Sequence, residues 1–558
     1  MSAIELAIFS SRIESICDEM GAMLQRAAFS PNIKDRLDFS CAIFDARGEL
    51  VAQAAHIPVH LGSMAFAMKD VVGAFKWSDS DVVIYNDPYL GGTHLPDVTL
   101  VSPVIIDGCV TAFCACRAHH ANIGASSPGS MPVSSHLDEE GVLISPMKLF
   151  SGGVVVGETL KLLLQISQPE VSEEDLLLAA KALQWESPSK KVDNVETPAC
   201  AADTSNTVAE AGLLIALGDF MAQLGAVNVG AQRLLANIRL TGRAAFSASV
   251  EKLNAYASAM TAAMLQSIPH GQAFFEDKMD GDGIEDSEVF LKVLVTKNAD
   301  RILFDFSGTS LQVKGNINCP LSVTAAAVFY VIRCLLPPQL PACAGMFSCI
   351  DIRAEKGSLL NAVYPGAVAA GNVETSSRIV DVVLGALSRL MPKMIPAASQ
   401  GTMNNVAMGG LSTVRGRWDY YETICGGGGA HAKGPGLNAR HTHMTNTLNT
   451  PIESLESHYP LRVLEYAMRE KSGGCGKFSG GNGVIRTYQF LEDTTVTLLT
   501  ERRFSEPWGL AGAGNGARGE NLLNGKLLPS KFASRVRRND VLTIKTPGGG
   551  GYGELIPE

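Results

Sequence analysis

The sequence predicts an α+β protein of several subdomains, with mixed β-sheets, a central helical region and a glycine-rich β C-terminal part. Three observations carry this expectation. Short apolar runs rich in β-branched residues punctuate residues 1–168, helix-period leucine and alanine dominate 169–268, and glycine arrives in blocks after 425, such as CGGGGAHAKGPG and KSGGCGKFSGGNG. Residues 269–425 mix strand and helix patterns, so four regions are expected: 1–168, 169–268, 269–425 and 426–558. At 558 residues and 46% hydrophobic, the chain can bury sizeable cores.

From the N-terminus, Phe9, Ile13, Ile16, Met20, Met23, Leu24 and Ala27 form an apolar stripe at helical spacing, predicting an amphipathic helix over Ile4 to Ala28. Asp38 to Phe44 and Glu49 to Ala54 alternate around a DARG turn and read as a hairpin that delivers His56 and His60 to a loop. Val82 to Tyr85, Val98 to Ile106 and Val110 to Cys116 read as further strands. Between the first two lies NDPYLGGTH, whose Pro88 and Gly91-Gly92 allow a sharp reversal.

If the last two strands pair across Asp107-Gly108, His119 and His120 return towards His94 and Asp97. Five ionisable groups, counting Asp87, then converge on one hairpin. A mixed nitrogen and oxygen shell of this kind suits zinc, manganese or iron; the alternative is a hydrogen-bonded structural turn. Neighbours on an extended segment point oppositely, so only one of His119 and His120 can face inward. His60, just before an expected helix start, is either a further ligand or substrate contact, or a histidine satisfied by backbone.

Ser172 to Ser267 reads as helical, interrupted by the polar, proline-bearing linker at 186–207. Strands resume from Gln272. The aspartates from Asp280 to Asp286 lack calcium-loop spacing and read as a solvated turn. Val323 to Leu335 and Ile379 to Leu390 read as buried helices, and the later glycine blocks as tight turns. Gly514 to Gly519 matches GxGxxG formally, but ENLLNG follows where a helix should open, so no dinucleotide site is expected. His441 and His443 form an HxH that, on a strand, would point both rings to one side as a second metal or substrate site, or as an interdomain contact. Glu453 and Glu456 lie one helical turn apart after Pro451, placing them as acids at a helix N-terminus.

A net charge of −10 argues against a nucleic-acid or anionic-membrane surface. No basic leader precedes an apolar core and no apolar run reaches membrane-spanning length, so the expectation is a cytoplasmic protein with no membrane or nucleic-acid partner. The cysteines lack CxxC pairing and should be reduced. Cys114 and Cys116 would share one face of a strand, as thiolate ligands or small buried residues.

The stretches SPNIKDRLDFSCAIFDARGELVAQAAHIPVHLGSM, NDPYLGGTHLPD, RAHH, PGSMP, DFSGTS, NTPIESLE, YPLRV and PGGGGYG resemble the hydantoinase B/oxoprolinase family across nearly the whole chain. The resemblance implies the B subunit of a hetero-oligomer whose A-type partner binds ATP and magnesium. Such enzymes open hydantoins, 5-oxoproline or other lactams, and related ones carboxylate ketones. It also implies a divalent metal, zinc or manganese, in this subunit. Carried over, the ligands are His94 and Asp97 with His119 or His120, and His60 as a fourth. Asp87 and Asp38 would serve as proton acceptors or orienting groups, and His56, Asn122, His441, His443 and Glu456 as substrate contacts. The chain departs from the family pattern at Asn122, where an aspartate is usual, at Ala125, and at Ser479. An amide cannot act as a base. The expected reaction is amide hydrolysis after phosphoryl activation by the partner, with ketone carboxylation and a non-catalytic scaffold as alternatives.

Overall fold

The computed structural model describes residues 2–54, 57–168, 170–183, 185, 208–285, 287–412 and 416–555. The expected linker at 186–207 and His56 lie outside them.

The first region holds α1 (Ala3–Ala27), α2 (Pro31–Lys34), β1 (Phe39–Asp45), β2 (Leu50–Ala54), α3 (Pro58–Gly73), β3 (Val82–Tyr85), β4 (Asp97–Ile106), β5 (Cys109–His119), β6 (Met147–Ser151), β7 (Val154–Val155) and α4 (Gly157–Gln165). A reciprocal cap between Ser2 and Glu5 starts α1, satisfying backbone N–H groups that the helix itself cannot. The strands form an antiparallel sheet in the order β2-β1-β5-β4-β3-β6-β7.

Period-two alternation explains why these strands are apolar throughout. Cys41, Ile43, Cys114 and Cys116 face α1 and the long α6 (Val208–Thr241), while Ala42, Phe44, Phe113 and Ala115 face α3. Cys114 and Cys116 are thus buried core residues of β5. α5 (Glu173–Ala182) and α6 share this core, and α7 (Arg243–Gln266) follows. The helical region therefore completes the N-terminal sheet.

β8 (Gly271–Met279), β9 (Val289–Asn298) and β10 (Arg301–Asp305) form the expected antiparallel meander, extended by β11 (Ile350–Arg353), which runs parallel to β10. Two buried helices, α8 (Leu321–Leu335) and α9 (Ser376–Leu390), pack against each other. α8 lies on α3 and α9 on β8 and β9, so this pair joins the two sheets. The expected solvated turn is exposed from Gly283 to Glu285, but Asp282 departs from it: it is fully buried, accepting N–H groups from Ile284, Glu285 and Gly315 at 2.7–2.9 Å.

The C-terminal part contains β12 (Asn405–Ser412), β13 (Gly416–Glu422), α10 (Ile452–His458), β14 (Leu461–Arg469), β15 (Gly483–Phe490), β16 (Thr494–Leu499), β17 (Glu520–Leu523), β18 (Lys526–Leu527), β19 (Lys531–Val536) and β20 (Val541–Lys545). They make sheets β13-β12-β16-β19 and β14-β15-β20-β17-β18. The glycine blocks differ from the tight turns expected of them, since among their glycines only Gly512 and Gly553 have left-handed φ. Instead the blocks interlock backbone to backbone. Gly481 donates to the Gly428 carbonyl, Gly549 to Gly481 and Gly474 to Gly549, at 2.8–2.9 Å. A Cβ on Gly549 would stand 2.0 Å from the Gly428 oxygen, so only glycine permits the approach.

Among the described residues no helix is long and apolar enough to cross a membrane.

Candidate metal centre

The centre is assembled by the β4–β5 hairpin and the loop before it. Asp107 (φ 52°) and Gly108 (φ 74°) are both left-handed, as a two-residue hairpin turn requires, and a shift of the pairing by one residue between Val104 and Ile105 then sets Asp97 directly opposite His119. In the preceding loop, the Asp87 side chain accepts the Tyr89 N–H at 2.9 Å, and Gly91 (φ 103°) ends that turn. Arg117 and Ser322 hold the Gly91 and Gly92 carbonyls at 3.0 and 2.8 Å. This fixes His94 over the end of the hairpin.

His94 Nε2, His119 Nδ1 and Asp97 Oδ1 form a near-equilateral triangle, with sides of 3.2, 3.3 and 3.3 Å, and all three residues are buried. Such a triangle matches one face of a tetrahedron whose centre lies about 2.0 Å from each corner, the distance at which zinc binds imidazole and carboxylate. Two further observations favour a cation. The Ala369 carbonyl, 3.1 Å from His94 Nδ1, can only accept, so it keeps the proton there and leaves Nε2 as the ligand atom. Asp97 Oδ1 is buried without a hydrogen bond, an arrangement costly for a carboxylate unless a cation faces it. Burial pushes the Asp97 carboxyl up, but His94 and His60 outweigh it and hold Asp97 well below the usual carboxylate range. The set could therefore hold a divalent cation, and three protein ligands leave a position open for water or substrate.

His60 stands on the far side of the same carboxylate, with Nε2 3.2 Å from Asp97 Oδ2 and Nδ1 3.1 Å from Ser40 Oγ. Two groups that the sequence reading missed complete the surround. The Glu140 carboxylate accepts the Val368 and Ala369 N–H groups, each at 2.9 Å, and so steadies the carbonyl that orients His94. Burial pushes Glu140 up to about 7. Asn372 sits in a π-helical turn, Gly371–Thr375, with Nδ2 3.1 Å from His94 Nε2 and 3.3 Å from Asp97 Oδ2. Glu140 and Asn372 are 43 and 275 residues from Asp97 in no motif-like spacing, although π turns favour functional sites once a structure shows them.

The His119 ring stacks on Tyr421 at 5.0 Å, and the Arg36 guanidinium lies 4.7 Å from the Tyr421 ring centre. Tyr421 donates to Asn405 at 2.6 Å, and Asn405 to Glu374 at 2.7 Å. Burial, reinforced by the Glu501 charge, pushes Glu374 from 4.5 up to about 7. Between those values the folded chain holds a proton that the unfolded chain has released, so stability falls as pH rises from 4.5 to about 7. The loss is at most about 3 kcal/mol. Glu374→Gln is expected to lessen the fall between pH 5 and pH 8 in urea unfolding, with Glu140 keeping its own share; parallel wild-type and variant profiles would refute it.

The remaining expected site residues separate clearly. Asp38 lines the same small cavity as His60, His94, Asp97, His119 and Asn372. His120 does not join them: it points to α6, with Nε2 2.9 Å from Gln223 and its ring on Phe220, because its neighbour His119 takes the inward direction. Asp87 caps its turn outside the cavity lining. Asn122 accepts the Gly124 N–H at 2.8 Å in a local turn, and Glu456 accepts the Val463 N–H at 2.8 Å, holding the start of β14. His441 and His443 lie in a loop, not on the expected strand, and His443 has φ 59°, so the two rings do not share a strand face. Burial pushes His441 down to about 4. Their neighbours Met444, Thr445 and Thr447, with Met403, Tyr421 and Thr423, close the cavity, which has about 20 Å³ for water centres. That is room for about one water molecule.

Fold and site define a protein with a buried candidate metal centre, and comparison with known proteins gives its family. The hydantoinase B/oxoprolinase family model matches residues 2–555, and the chain belongs to this family. It is 36% identical to the 5-oxoprolinase of Dictyostelium discoideum over 570 residues, covering 99% of this chain and 40% of that protein. The chain thus spans about two fifths of that relative's length. Its fold is that of a chain in the ATP-dependent caprolactamase of Pseudomonas jessenii (TM-score 0.83, 23% identity, 99% and 91% of the two chains). A chain of acetone carboxylase also matches (TM-score 0.78, 17% identity, 98% and 75%).

Proposed function

We propose that this chain is the B component of an ATP-dependent amidohydrolase that opens a cyclic amide, a hydantoin, 5-oxoproline or another lactam. An A-type partner, binding ATP and magnesium, activates the substrate, and this chain completes hydrolysis in a soluble cytoplasmic hetero-oligomer. The observation that carries the reading is the buried triangle of His94, Asp97 and His119 beside a cavity sized for a single water.

An amide carbonyl is a poor electrophile, so the partner transfers a phosphoryl group from ATP to its oxygen, giving an imidate phosphate. A zinc or manganese ion held by His94, Asp97 and His119 would lower the pKa of a water from about 15.7 towards about 7. His60 and Glu140 keep Asp97 and His94 in ligating orientation, as partners of metal ligands do. Asp38, at the cavity wall, receives a proton from the attacking water and returns it to the ring nitrogen. Water oxygen bonds to the amide carbon, the C–N bond breaks with its electron pair going to nitrogen, and both water protons end there as the amine. The resulting acyl phosphate gives carboxylate and phosphate with a second water. Asp87 serves this scheme indirectly, by shaping the loop that carries His94. The wall of Met403, Met444, Thr445 and Thr447 must withdraw to admit a ring.

The test is reconstitution with an A-type partner, assaying 5-oxoproline, hydantoin and caprolactam with ATP. Ring-opened product formed without bicarbonate is expected. Substrate loss that requires bicarbonate and yields no amine would replace this reading with ketone-type carboxylation.

A further inference from the structure

We infer that Asn372 recognises the ring nitrogen of the activated cyclic amide; this rests on the hydrolase reading above. Asn372 is 4% exposed and lines the cavity with His94, Asp97 and His119. Its Oδ1 is buried without a hydrogen-bond partner. Its Nδ2 has two acceptors, His94 Nε2 at 3.1 Å and Asp97 Oδ2 at 3.3 Å. A cation at His94 takes the Nε2 lone pair, and the hydrogen bond from Asn372 to that atom is lost. Asp97 Oδ2 still anchors one N–H. The second N–H and Oδ1 are then both unsatisfied, side by side, and a buried carboxamide in that condition carries a desolvation cost until a ligand meets it.

The chemistry of the substrate supplies that ligand. In the imidate phosphate the ring nitrogen is a bare lone pair, which the Asn372 N–H can meet. As the C–N bond breaks and nitrogen gains protons it becomes a donor, which Oδ1 can meet. A carboxamide offers both without titrating, whereas a carboxylate lacks the donor and a hydrocarbon lacks both. An enol phosphate derived from a ketone has no nitrogen to use either group. The cavity lining also carries Met403 and Met444, whose unbranched thioether side chains can repack around the ring.

The test uses a lactim ether, the O-methyl imidate of a five- to seven-membered lactam, in which methyl stands for the phosphoryl group and the ring nitrogen is bare. Its affinity for the metal-loaded complex is measured by calorimetry beside that of the methoxycycloalkene of equal ring size. Wild type is expected to prefer the lactim ether, and Asn372→Asp and Asn372→Leu to lose about 10-fold or more of that affinity with the cycloalkene unaffected. Metal content must stay at the wild-type level in both variants. Unchanged lactim ether affinity, no preference in wild type, or loss of the cation in the isosteric Asn372→Asp protein would each overturn the role. If wild type opens no lactam with ATP, the hydrolase reading fails instead.

Discussion

Asp97→Asn protein is expected to fold and to lose its divalent cation, with metal affinity falling by more than about 100-fold. The carboxylate is the hub of the centre: His94 and His119 reach Oδ1 at 3.2 and 3.3 Å, while His60 and Asn372 reach Oδ2 at 3.2 and 3.3 Å. An amide of the same shape keeps the packing and removes the only anion in the triangle, so neutral imidazoles alone face a dication. Metal analysis by mass spectrometry gives the readout, with His120→Ala as the comparison. That ring bonds Gln223 and touches none of the three ligands, so His120→Ala is expected to keep about one cation per chain. Retention of full metal content by Asp97→Asn, or equal loss in both variants, would dismiss the proposed triangle.

Much of this centre was readable because its parts are close in sequence. The Asp107-Gly108 turn brings Asp97 and the end of β5 to one end of the hairpin, but the pairing it starts would set Asp97 opposite Ala118; the register shift between Val104 and Ile105, which no sequence pattern announced, sets it opposite His119. Choosing His119 over His120 needed the third dimension, since alternation says only that one of them faces inward. The burial of β1 and β5 on both faces put α1 and α6 on one side and α3 on the other, which a single alternation pattern does not separate. Asn372, Glu140 and Tyr421 carry no periodic or motif signal: Asn372 enters from the turn before α9, Tyr421 from β13, and Glu140 from the loop between β5 and β6 through its bonds to the Val368 and Ala369 N–H groups. The HxH of His441 and His443 misled because strand alternation was assumed where His443 adopts a left-handed backbone. The glycine blocks misled for a different reason. Glycine serves turns and close backbone contact equally well, and here the contact of Gly549 with Gly428 decides.

The second large effect lies where the central region meets the C-terminal part. Arg502→Met is expected to destabilise the chain by about 3–5 kcal/mol, the usual cost of leaving buried charges without their partner. Arg502 is 1% exposed and reaches Asp277 of β8 at 2.7 Å and Asp381 of α9 at 2.5 Å. Burial alone would push Asp277 up, but Arg502 and Arg378 hold it below the usual carboxylate range. Without Arg502, Arg378 is the one cation left for both carboxylates among the described residues, 3.4 Å from Asp277 and 3.9 Å from Asp381. Methionine fills the stem's volume, so the loss reports charge rather than a cavity. Urea unfolding measures it, and Asp381→Asn added to Arg502→Met should cost less than the sum of the single changes, because the second change removes a carboxylate the first had stranded. Additive losses would mean that the guanidinium does not compensate these acids. A cation bound as proposed at His94, Asp97 and His119 should survive Arg502→Met wherever the chain stays folded, since none of the three touches Arg502. Its loss there would instead tie the metal centre to the position of α9, which begins at Ser376 directly after the turn carrying Asn372.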